Sequence, residues 1–286
     1  MLTDENKREG ACCLILASLC FAGMGVFVRL AGDLPVFEKA MFRNFIAFLI
    51  SYIMLKKQKV SIRTATKAPG FVALRAILGT LAIFCNFYAI DRIHLSDASM
   101  LNKMSPFYMV LFSWLMLKER VTKQQILIII GAFLGSLLIV KPSGSNLLLK
   151  PALIAAIGGV LGGGALTSVR GCTQRGVPTA VIVFAFSAFS CVAFLPLFII
   201  DFVLPTGKQF LFLLLCACCS AAGQFAITKG YSYAPASEIS VFDYSQLMFS
   251  AIFGILLFGE HPDLLSFLGY VILIGLGVYQ FFRKRS

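Results

Sequence analysis

Phe112-Ser113-Trp114-Leu115-Met116-Leu117-Lys118-Glu119 is answered 141 positions later by Phe253-Gly254-Ile255-Leu256-Leu257-Phe258-Gly259-Glu260. Val28-Arg29 returns as Val169-Arg170 at the same offset. The chain of 286 residues therefore reads as two copies of one unit. Each copy contains about five apolar stretches of roughly 20 residues, long enough to cross about 30 Å of hydrocarbon. An odd number of crossings per copy makes the two copies sit upside down relative to each other in one bilayer.

Composition supports a membrane domain. Hydrophobic residues make up 59% of the chain and charged residues only 13%, whereas soluble domains are about a quarter charged. The net charge of +12 is not a nucleic-acid signature, because the basic residues lie between apolar stretches instead of along one soluble face. The nine cysteines fall in or beside apolar stretches, where they act as small packing side chains. Cys216-Ala217-Cys218-Cys219 lacks a nearby histidine and the two-pair spacing of a metal site, so no metal or other cofactor is expected. Lys7-Arg8 before an apolar run imitates a secretory leader, but the run is too long and no cleavage site closes it. It is read as the first retained helix.

The expected spans are 10–30, 35–55, 71–90, 95–117, 124–141, 151–169, 178–200, 208–227, 235–258 and 263–282. Short turns with Pro or Gly separate several of them, as at Asp33-Leu34-Pro35 and His261-Pro262. With the N-terminus inside, sixteen Lys and Arg fall on the cytoplasmic side and four (Arg92, Lys141, Lys150, Lys208) on the other. That bias places both termini in the cytoplasm of a plasma membrane, a bacterial inner membrane by expectation. The fold class expected is an all-α polytopic membrane protein of ten transmembrane helices in two inverted five-helix repeats. The first repeat covers residues 10–142 and the second 150–283. Gly158, Gly159, Gly162, Gly163 and Gly164 in the sixth span, and Gly131 and Gly135 in the fifth, allow close helix approach, either as static packing or as a rocking contact between halves.

Several motifs carry a family resemblance. Asn86-Phe87-Tyr88-Ala89, Asp97-Ala98-Ser99, Ser105-Pro106, Leu117-Lys118-Glu119-Arg120, Gly131 and Lys141-Pro142 resemble the EamA-type repeat of the drug/metabolite transporter superfamily. The second copy supplies Gln224-Phe225, Ala234-Pro235-Ala236-Ser237, Phe258-Gly259-Glu260 and Gly269. Arg43, within Phe42-Arg43-Asn44, resembles an arginine often found in the second segment of that family; the sixth and seventh spans show no partner for it. The resemblance covers about residues 11–283. It implies ten helices in two inverted repeats and transport of small organic solutes such as amino acids, vitamins, nucleotide-like metabolites and drugs.

Charges at bilayer depth are expensive and face a cavity or a partner. Arg43, Lys103 and Asp243 each lie about eight residues into a span, near the midplane at 1.5 Å per residue. Asn102-Lys103 and Asp243-Tyr244 occupy corresponding places in the two copies, which an inverted repeat sets on opposite walls of one cavity. They are candidate substrate or coupling residues; the alternative is a structural Lys103–Asp243 ion pair. Pro106 is expected to free the carbonyl of Asn102. Asn86 and Gln224 lie in corresponding spans about one turn out of register, and either line the cavity or bond neighbouring helices. Asp97, Glu238 and Asp243 are the candidates for a coupling ion, since a buried carboxyl can hold a proton at neutral pH; an acid in a first turn also suits the positive helix end. Glu38, Lys39 and Arg75 lie nearer helix ends, with snorkelling expected for the two bases. Glu119 and Glu260 are expected to cap or brace the next helix.

The function expected is secondary active transport of a small polar organic metabolite by alternating access. The cargo is amino-acid-like, vitamin or nucleotide-like. Arg43 and Lys103 suit a negative group and Asp243 an amine, so it is anionic or zwitterionic. A proton or sodium ion is the possible co-partner, beside the lipid bilayer itself. A membrane enzyme is not expected, as no zinc-protease helix, serine elbow or phosphate loop is present. The competing readings are a passive channel or facilitator and a non-transporting assembly subunit.

Overall fold

The computed structural model describes residues 4–90, 101, 103–140, 149–259 and 264–282. Among these the chain is helical, with no strand. In the first half α1 is Asp4–Leu30, α2 Val36–Lys57, α3 Pro69–Ile90, α4 Ser105–Leu117 and α5 Lys123–Val140. In the second, α6 is Leu149–Gln174, α7 Thr179–Ile200, α8 Gly207–Tyr233, α9 the short Ala236–Ile239, α10 Ser245–Phe258 and α11 Leu264–Phe282. Among the described residues six stretches are long and apolar enough to cross a membrane: Glu5–Leu30, Pro69–Asn86, Leu153–Gln174, Thr179–Ile200, Gly207–Tyr233 and Ala236–Phe258. Ser105–Leu117, Lys123–Gly135 and Phe267–Tyr279 are shorter apolar helices.

Local sequence sets the boundaries. Pro35, Pro178 and Pro235 sit at helix N-caps, where a fixed φ and a missing N–H cost nothing. Thr206 and Gln209 form a capping box at the start of α8. Thr122 and Gln125 bond in the same way ahead of α5, with Thr122 N donating to Gln125 Oε1 at 2.8 Å. The repeated glutamate motif is a helix stop. Lys118 ends α4 and Gly259 ends α10, both left-handed (φ 54° and 64°), and their amides donate back to Ser113 O and Gly254 O. All four residues are 141-residue mates.

Three details depart from the sequence reading. α8 runs to Tyr233, six residues beyond its expected end, because nothing breaks the helix before Pro235. The ninth span is not one helix: a 3-10 turn, Ser240–Tyr244, separates α9 from α10. Pro106 does not kink the interior of a helix; it lies at the start of α4, just after the turn at Met104. Asn102, whose carbonyl it was expected to free, lies outside the described residues.

The inversion is visible in the packing. Repeat mates α2 and α7 touch antiparallel: Phe37 meets Phe194 (6.2 Å between ring centroids) at one end and Phe48 meets Phe184 (5.1 Å) further along. Mates α5 and α11 also run antiparallel, with Gly131 against Leu276 and Gly135 against Ile272. The rest of the bundle obeys the same exchange: α1 packs on α8 as α3 packs on α6, and α2 on α8 as α3 on α7.

α6 is wedged between α3 and α4 of the other half. Gly158 lies against Cys85, and Gly163 against Tyr108 and the backbone of Ser105 and Met109. A side chain at Gly163 would overlap backbone, so its lack of a Cβ is what permits this approach. Leu16, Ile53, Leu127, Val192, Leu256 and Phe267 project from the outer surface, as lipid-facing positions do.

Candidate functional site

The turn at Lys103 and Met104 and the 3-10 turn Ser240–Tyr244 put backbone and charge at the centre of the bundle. Unpaired backbone is tolerated at membrane depth only where protein or a water-lined cavity receives it. The carbonyl of Asp243 accepts from Ser18 Oγ at 3.2 Å and from Lys103 Nζ at 3.3 Å. Lys103 Nζ also donates to Gln246 Oε1 at 2.7 Å and pairs with Asp243 Oδ2 at 3.5 Å. This ion pair is largely buried, with side-chain exposures of 11% and 7%, and it joins the two halves.

Around it lies a cavity of about 330 Å³. Arg43, Asn86, Lys103, Gln224 and Asp243 all line it. So do residue pairs separated by the repeat offset, Ile83 with Gln224, Asn86 with Ile227, and Ser105 with Gln246. The cavity therefore straddles the pseudo-twofold axis. Asn86 and Gln224 are out of register because each has an isoleucine as its mate.

Arg43 enters from α2, and its Nε donates to Ser220 Oγ of α8 at 2.5 Å. Arg75, expected to snorkel from α3, instead lines the cavity at 5% exposure. Its guanidinium stacks 3.9 Å above the centroid of the Phe186 ring. Gly79, one turn on, leaves the space into which Arg75 Nη1 lies. Neither arginine has an acidic partner among the described residues. Sequence reasoning missed Arg75, Gln246 and Ser220; the only available signal was the Arg75–Gly79 spacing.

The other candidates lie elsewhere. Tyr244 is fully buried and not among the cavity lining; its hydroxyl has no partner among the described residues. Glu238 accepts from Gln125 Nε2 at 2.7 Å and stands 3.7 Å from Lys7 Nζ, joining the N-terminal ends of α1, α5 and α9. Asp97, Asn102 and Glu260 lie outside the described residues. Lys39 Nζ turns back to Gly32 O at 2.6 Å and Glu38 Oε2 accepts from Val203 N at 3.3 Å. Among the described residues no three His, Cys, Asp or Glu side chains converge as a metal site would need.

An EamA-like transporter family model matches residues 8–141 and again 144–282. The pseudopaline exporter CntI of Pseudomonas aeruginosa is 33% identical over 269 residues, covering 93% of this chain and 94% of that protein. A riboflavin transporter of Vibrio cholerae is 24% identical, covering 96% and 93%. Human solute carrier family 35 member G1 is 23% identical, covering 98% and 82%. A crystal structure with 15% identity superposes with a TM-score of 0.81 over 94% of this chain and 95% of the other, a likeness of fold. Both halves match the same family model and the bundle has the inverted two-repeat form. The chain is a multi-pass membrane protein belonging to the EamA-like transporter family.

Proposed function

We propose that this chain is a secondary active transporter that carries a small polar organic metabolite, anionic or zwitterionic, by alternating access. The observation that supports it best is one cavity lined from both inverted halves, with Arg43, Lys103 and Asp243 on its walls. Two halves related by a twofold axis in the membrane plane can rock about a fixed central site and present it to each side in turn. The cavity suits a small solute. The transporter relatives point the same way, while their differing cargoes leave the metabolite class to the site itself.

In this reading the chain makes ten crossings. α2 is the tenth, despite carrying Glu38, Lys39 and Arg43. The halves divide as 10–142 and 150–283, and both termini face the cytoplasm of a plasma membrane. Substrate contacts come from Arg43, Asn86, Lys103, Gln224 and Asp243 on the cavity wall, with Asn102 as a further candidate, while Tyr244, buried beside Asp243 and off the cavity wall, supports that wall from behind. A proton or sodium ion is coupled through Asp243, Asp97 or Glu238.

The test is uptake of a metabolite panel into proteoliposomes, with pH and sodium gradients imposed separately. Saturable flux that is accelerated by substrate on the opposite side is expected. Non-saturating flux without counter-transport would point instead to a channel. Lys103→Ala and Asp243→Asn should each depress uptake at least 10-fold; unchanged uptake in both, at normal expression, removes them from the site. Labelling of single cysteines placed at the two ends should find both on one face.

A further inference from the structure

Four charged side chains line the central cavity, and they do not balance. Lys103 and Asp243 face each other at 3.5 Å, so their charges are mutually compensated. Arg43 and Arg75 remain, with no acid paired to either among the described residues. Arg43 is tethered through Nε to Ser220, and Arg75 sits over the ring of Phe186. Arg75 is 95% buried by its 5% exposure, and its Nε has no hydrogen-bond partner among the described residues. A buried guanidinium beside a half-buried one, both with donors to spare, is costly unless an anion completes them. A guanidinium offers a planar fork that matches a carboxylate or phosphate in bidentate fashion.

We infer that the cavity is built for a dianion, with Arg43 and Arg75 supplying the two positive charges and Arg75 setting the preference for dianions over monoanions. This rests on the transporter reading for its physiological meaning, but binding of the dianion is testable without flux. The Lys103–Asp243 pair closes on itself, so no amine on the cargo is required. Two compact oxyacid chemistries share the charge, a dicarboxylate and a phosphate monoester, and the probes separate them.

The experiment measures thermal stabilisation of the purified full-length protein by glutarate, succinate, glycerol 3-phosphate, acetate and choline at matched ionic strength. Glutarate and succinate, or glycerol 3-phosphate, should stabilise in a saturable way, and acetate and choline should not. Arg75→Ala should weaken the dianion response about 10-fold or more, tenfold being the loss of one good charged contact, and leave any acetate response within about threefold. Should Arg75→Ala fold poorly, Arg75→Lys keeps the charge but not the fork, and Gly79→Ala displaces Arg75 while keeping both arginines. Each should weaken dianion binding relative to acetate. No stabilisation of the folded wild-type protein by any dianion, a stronger effect of choline or acetate, or a dianion response that survives all three variants would overturn the inference. Dianion binding without flux in proteoliposomes would leave the inference standing and sink the transporter reading instead. Flux of neutral solutes only would do the reverse.

Discussion

Arg170 Nε donates to Glu119 Oε1 at 2.9 Å, and Arg170 Nη1 reaches the carbonyls of Tyr231 and Ser232 at 3.1 Å. One guanidinium thus ties the end of α4 to α6 and to the last turn of α8. Gln174 Nε2 adds a second donor to the same Glu119 oxygen at 2.8 Å. Both residues belong to the repeated motifs, the glutamate ending and the Val-Arg pair. The glutamate was expected to cap or brace the next helix, α5; its partners lie instead on α6, in the other half.

Removing one member of this buried pair strands the other. Arg170→Ala should therefore cost on the order of 3 kcal/mol and lower the detergent melting temperature by several degrees. Glu119→Gln retains an acceptor and should cost less. Equal melting temperatures for wild type and Arg170→Ala would show that the bridge contributes little.

The Lys103–Asp243 pair allows a cleaner dissection. If its role is partly to hold the halves together, each single variant, Lys103→Met or Asp243→Leu, strands a charge at 3.5 Å from its partner's former place. The double variant should then be more stable than the sum of the singles, with a coupling of about 1–3 kcal/mol. Strict additivity of the unfolding midpoints argues that the pair has no structural value.

Gly163→Ala would drive a methyl group into Tyr108 and the Met109 amide. Overpacking costs of about 1–3 kcal/mol follow, and expression should fall. Gly25 and Gly275 meet nothing within 4 Å, so alanine there should be neutral or stabilising by about 0.5–1 kcal/mol. Opposite behaviour of the two sets under a thermal ramp would contradict this packing.

The helix stops make a reciprocal pair of predictions. Gly259→Ala puts a side chain on a left-handed residue in open space, so only the backbone cost applies, about 1 kcal/mol. Lys118 already bears that cost at φ 54°, and Lys118→Gly should relieve part of it, raising the melting temperature slightly. A rise for Gly259→Ala would refute the left-handed assignment.

The architecture was legible because repetition and apolar length are properties of the chain itself. The 141-residue offset made the halves comparable, and the expected odd number of crossings in each led to the inversion that the antiparallel packing of α2 on α7 displays. Less visible was the 3-10 turn. Ser240-Val241-Phe242-Asp243-Tyr244 holds no Pro or Gly, and the break is held by tertiary partners, Ser18 on the carbonyls of Phe242 and Asp243 and Lys103 on the latter. Arg75 was misplaced for a related reason. Depth counted from a helix end suggested snorkelling, while its actual direction depends on Phe186 of another helix and on the gap at Gly79. Glu238 shows the limit of position along a span: its partners, Lys7 and Gln125, lie on two other helices.

All three cationic side chains of the cavity, Arg43, Arg75 and Lys103, come from the first half, and the second half contributes only Asp243 as a charged group. Scaffold symmetry and chemical symmetry have parted company. A bundle assembled from two second halves would enclose an acidic chamber, and one from two first halves a strongly basic one. Duplicated packing thus coexists with a lopsided distribution of charge, and the electropositive side of the chamber is the work of one copy alone.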